Sequence, residues 1–309
     1  MRRLRGVIAS HARAAVLLGG LALAIAACSP AGAPAAASDD RIRVVATTTI
    51  LADLVREVGG DRVTVESLVP KGGEAHTFDP RPSDVRRVVE ADLVVRNGLG
   101  LDDWLLGLVE DSGSDARVVG LGEDLDGATY LADGDAVNPH LWLDVANARR
   151  YAARIAAELE ALDVDHARAI ATRAGAYDRE LAALDSDARE RLAAIPPAAR
   201  TVISFHDAFP YFAAAYGLTV DGTVVDAPGQ DPSAAQVEAL VREIRAKGIK
   251  AILAEAQFSD KLVQAIADEA GASVVSDLYT DSVGDPPLDT YIALMRWNVD
   301  RVVAALDGS

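Results

Sequence analysis

From Arg41 onward the apolar residues of this chain switch between two rhythms. Short runs rich in Val and Ile read as strands: "RVVATT" (43–48), "RVTVESLV" (62–69), "ADLVVRNG" (91–98) and "ARVVGL" (116–121). Between them, apolar positions recur at helical spacing. "ILADLVREVGG" is a helix stopped by Gly59-Gly60. "SDVRRVVEA" is a helix with Ser83 as the expected cap, and a short helix surrounds Trp104-Leu105-Leu106. The middle is helical throughout. Val145 to Leu162 forms one helix, and Ala167 to Leu192 continues with few breakers and a charged face. At 1.5 Å per residue, a helix of about 26 residues reaches about 39 Å, enough to run the length of a domain.

Pro196-Pro197 ends that helix and the alternation resumes. "TVISF", "LTVDGTVV", "KAILAEA" and "SVVSDL" read as strands, and "DAFPYFAAAYG" and "SDKLVQAIADEAG" as helices. "DPSAAQVEALVREIRAKG" carries a capping box at Ser233 and Gln236, an apolar stripe and a terminal Gly248. The tail from Leu288 to Leu306 is helical. Alternating strands and helices imply parallel sheets covered on both faces. The expected fold is therefore α/β. It has two lobes, each a parallel sheet flanked by helices, joined by one long rigid helix. The expected boundaries are an N-terminal lobe over 41–163, a bridging helix over 164–195 and a C-terminal lobe over 196–309.

The first forty residues follow different rules. "MRRLRGVIASHARAAVLLGGLALAIAACSP" has a basic start, an apolar run and small residues before Cys28, the pattern of a signal peptide. The apolar run, Ala14 to Ala27, is short of the roughly 20 residues that a spanning helix needs. Ile25-Ala26-Ala27-Cys28 resembles a bacterial lipobox. That resemblance implies removal of residues 1–27 and a lipid on the Cys28 sulfur; a plain secretory cut is the alternative. Residues 28–40 then form a flexible tether. Cys28 is the only cysteine, so neither an intramolecular disulfide nor a thiolate metal site is available.

Charge narrows the partners. The 309-residue chain carries −17, and the leader holds four Arg and no acid, so the remainder is more acidic still. Nucleic acid is excluded as a natural partner, and so is adsorption of the folded body onto anionic lipid. A monomer is expected.

Histidine is scarce: His11, His76, His140, His166 and His206. His11 leaves with the leader and His166 lies on the long helix, at the surface. The other three sit at strand ends or helix entrances, where ligands bind in open parallel sheets. His76 lies in "VPKGGEAHTFDPRPSD", which Pro80 and Pro82 keep from being helical. His140 lies in "NPHLWLD", and His206 directly follows "TVISF". Asp281, just beyond "SVVSDLYT", is the matching carboxylate, with Asp277 its neighbour and competitor. Three imidazoles and one carboxylate suit a divalent transition metal. The spacing is dispersed, so ordinary roles stay open as well: His206 capping the next helix, His140 bonded in its turn, Asp281 an acid in a loop. Glu255, at the end of "KAILAEA", fits either a ligand or an acceptor that holds an imidazole tautomer. Asp79, Asp144 and Asp207, each close in sequence to a histidine, are further candidates for that supporting role.

Taken together these pieces resemble the metal-binding lipoproteins that feed bacterial ABC importers for zinc and manganese. The matching stretches are the lipobox, "VVATTTILADLVREVGGDRVTVESLVPKGGEAHTFDPRPSDV", "ADLVVRNGLGLDDWL", "NPHLWLD", "SFHDAFPYFAAAYGL", "PGQDPSAAQ", "AILAEAQFS" and "DLYTDSVG", in the family's order. The resemblance implies a metal buried between two lobes, held by His76, His140, His206 and Asp281. A histidine at the third of these positions is the zinc pattern, a glutamate the manganese one. Members for zinc often carry a His-rich loop before the second histidine motif. Here that stretch is "EDLDGATYLADGDAV", acidic and without histidine.

The expectation is an extracytoplasmic protein, anchored through lipidated Cys28, that captures Zn²⁺, or alternatively Mn²⁺, and passes it to an ABC permease. It is not expected to be an enzyme. A zinc hydrolase with Glu255 as base is the rival of a different class, and a surface adhesin is a third reading.

Overall fold

Strand β1 (Ile42–Ala46) and strand β3 (Leu93–Arg96) are almost wholly apolar and buried, as strands covered on both faces must be. They form the centre of a parallel sheet in the order β2-β1-β3-β4, with β2 (Val63–Ser67) and β4 (Arg117–Gly120) at its edges. A second parallel sheet has the order β10-β9-β7-β8. Its strands are β7 (Thr201–Ser204), β8 (Thr219–Thr223), β9 (Ala251–Glu255) and β10 (Ser273–Leu278). A small antiparallel hairpin, β5 (Ala132–Asp133) and β6 (Ala136–Val137), occupies the acidic stretch before His140. This computed structural model describes residues 40–307, so the leader, Cys28 and most of the tether lie outside the described residues.

Helices sort by which apolar face they bury. Helices α2 (Pro82–Glu90) and α3 (Trp104–Ser112) cover the outer face of the first sheet around Val88, Val94 and Leu105. Helices α7 (Ala234–Lys247) and α8 (Asp260–Ala270) cover the outer face of the second around Leu240, Val241, Ile252 and Ile266. The inner faces of both sheets share one core with α1 (Thr49–Gly59), α4 (Val145–Leu162), α5 (Ala167–Ala193), α6 (Pro210–Tyr216) and α9 (Tyr291–Leu306). The described residues from Arg41 onward cluster as one unit for that reason.

The long helix is continuous. α5 runs 27 residues with Tyr177, Leu181, Leu184, Ala188 and Leu192 buried along one stripe. Two helix starts differ from the sequence reading. Pro82 occupies the first turn of α2, a place where its missing N–H costs nothing. The entry position is therefore Arg81, whose N–H donates to the Asp84 carboxylate at 2.7 Å, and Ser83 caps nothing. Likewise α6 begins at Pro210, not at Asp207, so His206 caps no helix.

A candidate metal centre between the sheets

Each sheet reverses direction of strand order near its middle, at β1/β3 and at β7/β9. Ligand sites form at the carboxyl ends of strands beside such reversals. His206 stands two residues past β7, and Glu255 is the last residue of β9. Asp281 follows β10. His76 arrives on the loop between β2 and α2, and His140 on the turn before α4.

The four ligand atoms of His76, His140, His206 and Asp281 lie within 4.8 Å of one another. The Nε2 atoms of His76 and His140 are 3.2 Å apart. His140 Nε2 is 3.6 Å from Asp281 Oδ1, and His206 Nε2 is 3.9 Å from Asp281 Oδ2. Donors at about 2.1 Å from a tetrahedral ion sit about 3.4 Å from each other, so these three separations lie near the edge length of such a site. All but His76 are buried below 3% exposure, and His76 is half-buried.

Local structure explains each placement. Gly73 is needed in the His76 loop because a Cβ there would come within 2.9 Å of the Pro70 carbonyl. The loop is tied down by Trp104 Nε1 donating to the Ala75 carbonyl at 3.1 Å, and by Gly72 N–H donating to Ser282 Oγ at 2.9 Å. His140 is set by a chain of buried hydrogen bonds. Asp102 accepts Thr47 Oγ1 and the N–H groups of Asn97 and Gly98, fixing the turn after β3. Asn97 then donates to the Pro139 carbonyl at 3.0 Å and accepts Tyr151 Oη at 2.7 Å. Asn138 Oδ1 faces His140 Nδ1 at 3.0 Å, while its amide nitrogen donates to the carbonyl and carboxylate of Asp207. An amide oxygen only accepts, so Nδ1 of His140 carries the proton and Nε2 is left bare toward the cluster. Asp281 Oδ2 accepts Thr280 Oγ1 at 3.1 Å and Gln257 Nε2 at 3.2 Å, while Oδ1 is buried without a hydrogen-bond partner. Both ring nitrogens of His206 are likewise unpartnered, although Glu255 Oε1 lies 2.7 Å from Nδ1, off the N–H direction. Buried polar atoms are rarely left so, and those concentrated here are donors that a bound cation would satisfy.

Electrostatics separate the three imidazoles. Burial, reinforced by His206, pushes His76 down to about 4, and burial also holds His140 well below its usual value. Burial would lower His206 too, but the charges of Glu255, Asp281 and Glu74 outweigh it and raise the group to about 9. Burial raises Asp281 to about 7, with Glu74 and Glu255 adding repulsion against attraction from His206. A site this rich in acid attracts a cation.

Of the supporting residues read from sequence, Glu255 touches His206 directly, and Asp207 acts on His140 through Asn138. Asp79 is exposed on the His76 loop, and Asp144 caps α4 by accepting Ala146 N–H at 2.9 Å, so neither backs an imidazole. Asp277 is exposed and outside the cluster. His166 is a surface residue paired with Asp163. Sequence reasoning missed Asn138 and Glu74. Glu74 sits two residues before His76, accepts its N–H at 2.9 Å, and is raised by burial. Its nearness to His76 in the sequence was the available signal.

Comparison with known proteins agrees with this architecture. Residues 44–305 match the family model described as the periplasmic component A of a zinc-uptake complex, ZnuA. The manganese-binding lipoprotein MntA of Halalkalibacterium halodurans is 31% identical over 288 residues, covering 93% of this chain and 95% of that protein. The iron ABC transporter substrate-binding lipoprotein MtsA of Streptococcus pyogenes serotype M1 is 29% identical, covering 91% and 94%. Among solved structures, the periplasmic zinc-binding protein TroA of Treponema pallidum superposes with a TM-score of 0.80 at 27% identity, covering 86% of this chain and 99% of TroA. A manganese-bound periplasmic metal-binding protein of Candidatus Liberibacter asiaticus gives 0.77 at 25% identity, covering 86% and 100%. With the family model matched across nearly all of the described residues, the chain belongs to the family of the periplasmic zinc-uptake component ZnuA.

Proposed function

We propose that this protein is the substrate-binding component of an ABC importer, and that it captures a divalent transition metal through His76, His140, His206 and Asp281. The observation that carries this reading is the convergence of four ligand atoms from distant segments at separations that suit one ion. Zn²⁺ is the cargo we favour. Three imidazoles and a single carboxylate suit zinc, whereas Mn²⁺ accepts more oxygen. Relatives named for manganese and iron make Mn²⁺ the second reading, and Glu74 and Glu255 beside the cluster supply the oxygen it would draw on.

A binding role fits the geometry better than hydrolysis. Catalytic zinc sites take three protein ligands and keep one position for water. Here four protein donors converge, enough to fill every position of a four-coordinate ion. The partner is then a permease in the cytoplasmic membrane. Lipidation at Cys28 would hold the protein there, outside the cytoplasm; no described helix is long and apolar enough to cross a membrane. Equilibrium dialysis against Zn²⁺ and Mn²⁺ tests the reading. The expected result is one Zn²⁺ per chain that excess Mn²⁺ does not displace. Absence of a tight site for either ion sinks it.

A further inference from the structure

The three histidines are backed differently. Behind His140 stands a neutral amide, Asn138. Among the described residues nothing is bonded to the outer nitrogen of His76. Behind His206 stands a carboxylate, Glu255, at 2.7 Å. Glu255 ends the wholly buried strand β9, and its side chain has no exposure at all. Phe258 packs edge-on to the His206 ring at 5.6 Å and against Phe205 at 4.6 Å, walling this corner with apolar surface.

An enclosed carboxylate is costly unless a charge or several donors meet it. Neither oxygen of Glu255 has a hydrogen-bond partner, and no described Lys or Arg pairs with it. Among the described residues its closest polar neighbour is the ring of His206. From this arrangement we infer that Glu255 is the positioning residue of the metal centre: its carboxylate, 2.7 Å from Nδ1, favours the tautomer with the proton on that side, so that Nε2 faces the cation, and it sets an acidic group behind the ligand where a buried dication needs one. The inference rests on the metal-binding reading above.

The charge count gives the reason. Three neutral imidazoles and Asp281 supply one negative charge, which leaves a bound dication with an excess positive charge in a dry cavity. Glu255 behind His206 and Glu74 beside His76 are the acidic groups placed to offset that excess. Glu255 also makes His206 the best-held imidazole of the three, since a carboxylate behind the ring raises its basicity as a ligand. His76, on a loop and unsupported from behind, is the most loosely held. His76 is thus the one loosely held ligand of the four, the other three being buried and fixed by their surroundings.

Two variants separate the roles. Glu255→Gln keeps the size and an acceptor oxygen but removes the charge; Glu255→Ala removes both. Zn²⁺ affinity, measured by competition with a chromogenic chelator, should fall about 10-fold in Glu255→Gln and about 100-fold in Glu255→Ala, the range for residues that hold a ligand from behind. The visible spectrum of the Co²⁺-loaded protein should shift in both and stay unchanged in Asp277→Asn. The metal-free melting temperature of Glu255→Gln is measured beside these and should fall, because the variant loses the close buried contact between Glu255 and the His206 ring. A residue with only a structural role would lower that temperature and leave the Co²⁺ spectrum unchanged. If the parent binds one Zn²⁺ and Glu255→Gln binds within 2-fold of it with the same Co²⁺ spectrum, the inference falls while the metal-binding reading stands. If the parent binds neither ion, both fall. Should Glu255→Ala not fold, the near-isosteric glutamine variant still decides the matter.

Discussion

Asp53 on α1 accepts the backbone N–H of Tyr291 at 2.7 Å, across 238 residues of sequence. Tyr291 is the first residue of α9, so this carboxylate closes the amino end of the last helix and joins the two halves of the shared core. The Tyr291 hydroxyl continues the link by donating to the Trp142 carbonyl at 2.6 Å, and Trp142 Nε1 donates to the Thr280 carbonyl beside Asp281. A structural seam therefore runs from α1 to the candidate metal ligands.

That seam predicts a pH effect away from the metal. Burial raises Asp53 to about 6, partly offset by the Tyr291 hydrogen bond. The folded state thus holds a proton that the unfolded chain, with a carboxyl near its ordinary value, releases. The sign follows: the stabilisation is full below about pH 4 and is lost as pH rises through about 6, by up to about 3 kcal/mol. Asp53→Asn keeps an acceptor for Tyr291 and should remove this part of the slope. Urea unfolding of both metal-free proteins between pH 4 and 7 checks it. Parallel curves across that window would show that Asp53 is not the titrating group.

Removing a ligand should cost binding more than folding. His76 is half-buried on a loop and contributes little to the core. His76→Ala should weaken Zn²⁺ binding by more than about 100-fold, beyond the effect of a supporting residue. Its metal-free stability should stay within about 0.5 kcal/mol of the parent. Calorimetric titration alongside urea melts separates the two quantities, and an unaltered affinity would remove His76 from the ligand set.

Metal should also stabilise the fold, because the four donors come together only in the folded chain. At an ion concentration 1,000 times Kd the gain is about 4 kcal/mol. For a body of this size that shifts Tm upward by about 8–16 °C. Differential scanning with and without Zn²⁺ should show the shift, and a chelator or Asp281→Asn should abolish it. A shift that survives in Asp281→Asn would place the ion elsewhere.

How much of this was legible in the sequence depends on the range of the interaction. The stripe Tyr177, Leu181, Leu184, Ala188 and Leu192 is a local repeat, and it gave the long helix almost to the residue. The capping box at Ser233 and Gln236 is equally local and forms as read. Ser83 failed as a cap because Pro82, one residue away, set the start of the helix first. Of the site residues, the three histidines and Asp281 stood out through scarcity and position at strand ends. Their supports did not. Asp79 and Asp144 are near histidines along the chain but not in space, whereas Asn138 works through a turn whose shape depends on Asn97, 41 residues earlier. Sequence proximity says little about which side chain stands behind a ring.

The His76 loop supplies the last prediction. Ser282, next to Asp281, accepts Gly72 N–H at 2.9 Å, lies 3.1 Å from Thr49 Oγ1, and donates to the Val283 carbonyl at 2.9 Å. One hydroxyl therefore ties the loop that carries His76 to the segment that carries Asp281. The ion pair of Lys71 and Asp285 at 3.7 Å spans the same gap, but both side chains are largely exposed and contribute little. Ser282→Ala removes the latch without touching a ligand. Losing one such hydrogen bond, about 1 kcal/mol, should speed metal release about 5-fold if the bond is broken on the way out. Stopped-flow mixing of the Zn²⁺-loaded protein with excess chelator measures that rate directly. An unchanged rate would mean that the ion leaves with Gly72 and Ser282 still joined, and that the opening lies on another side of the site.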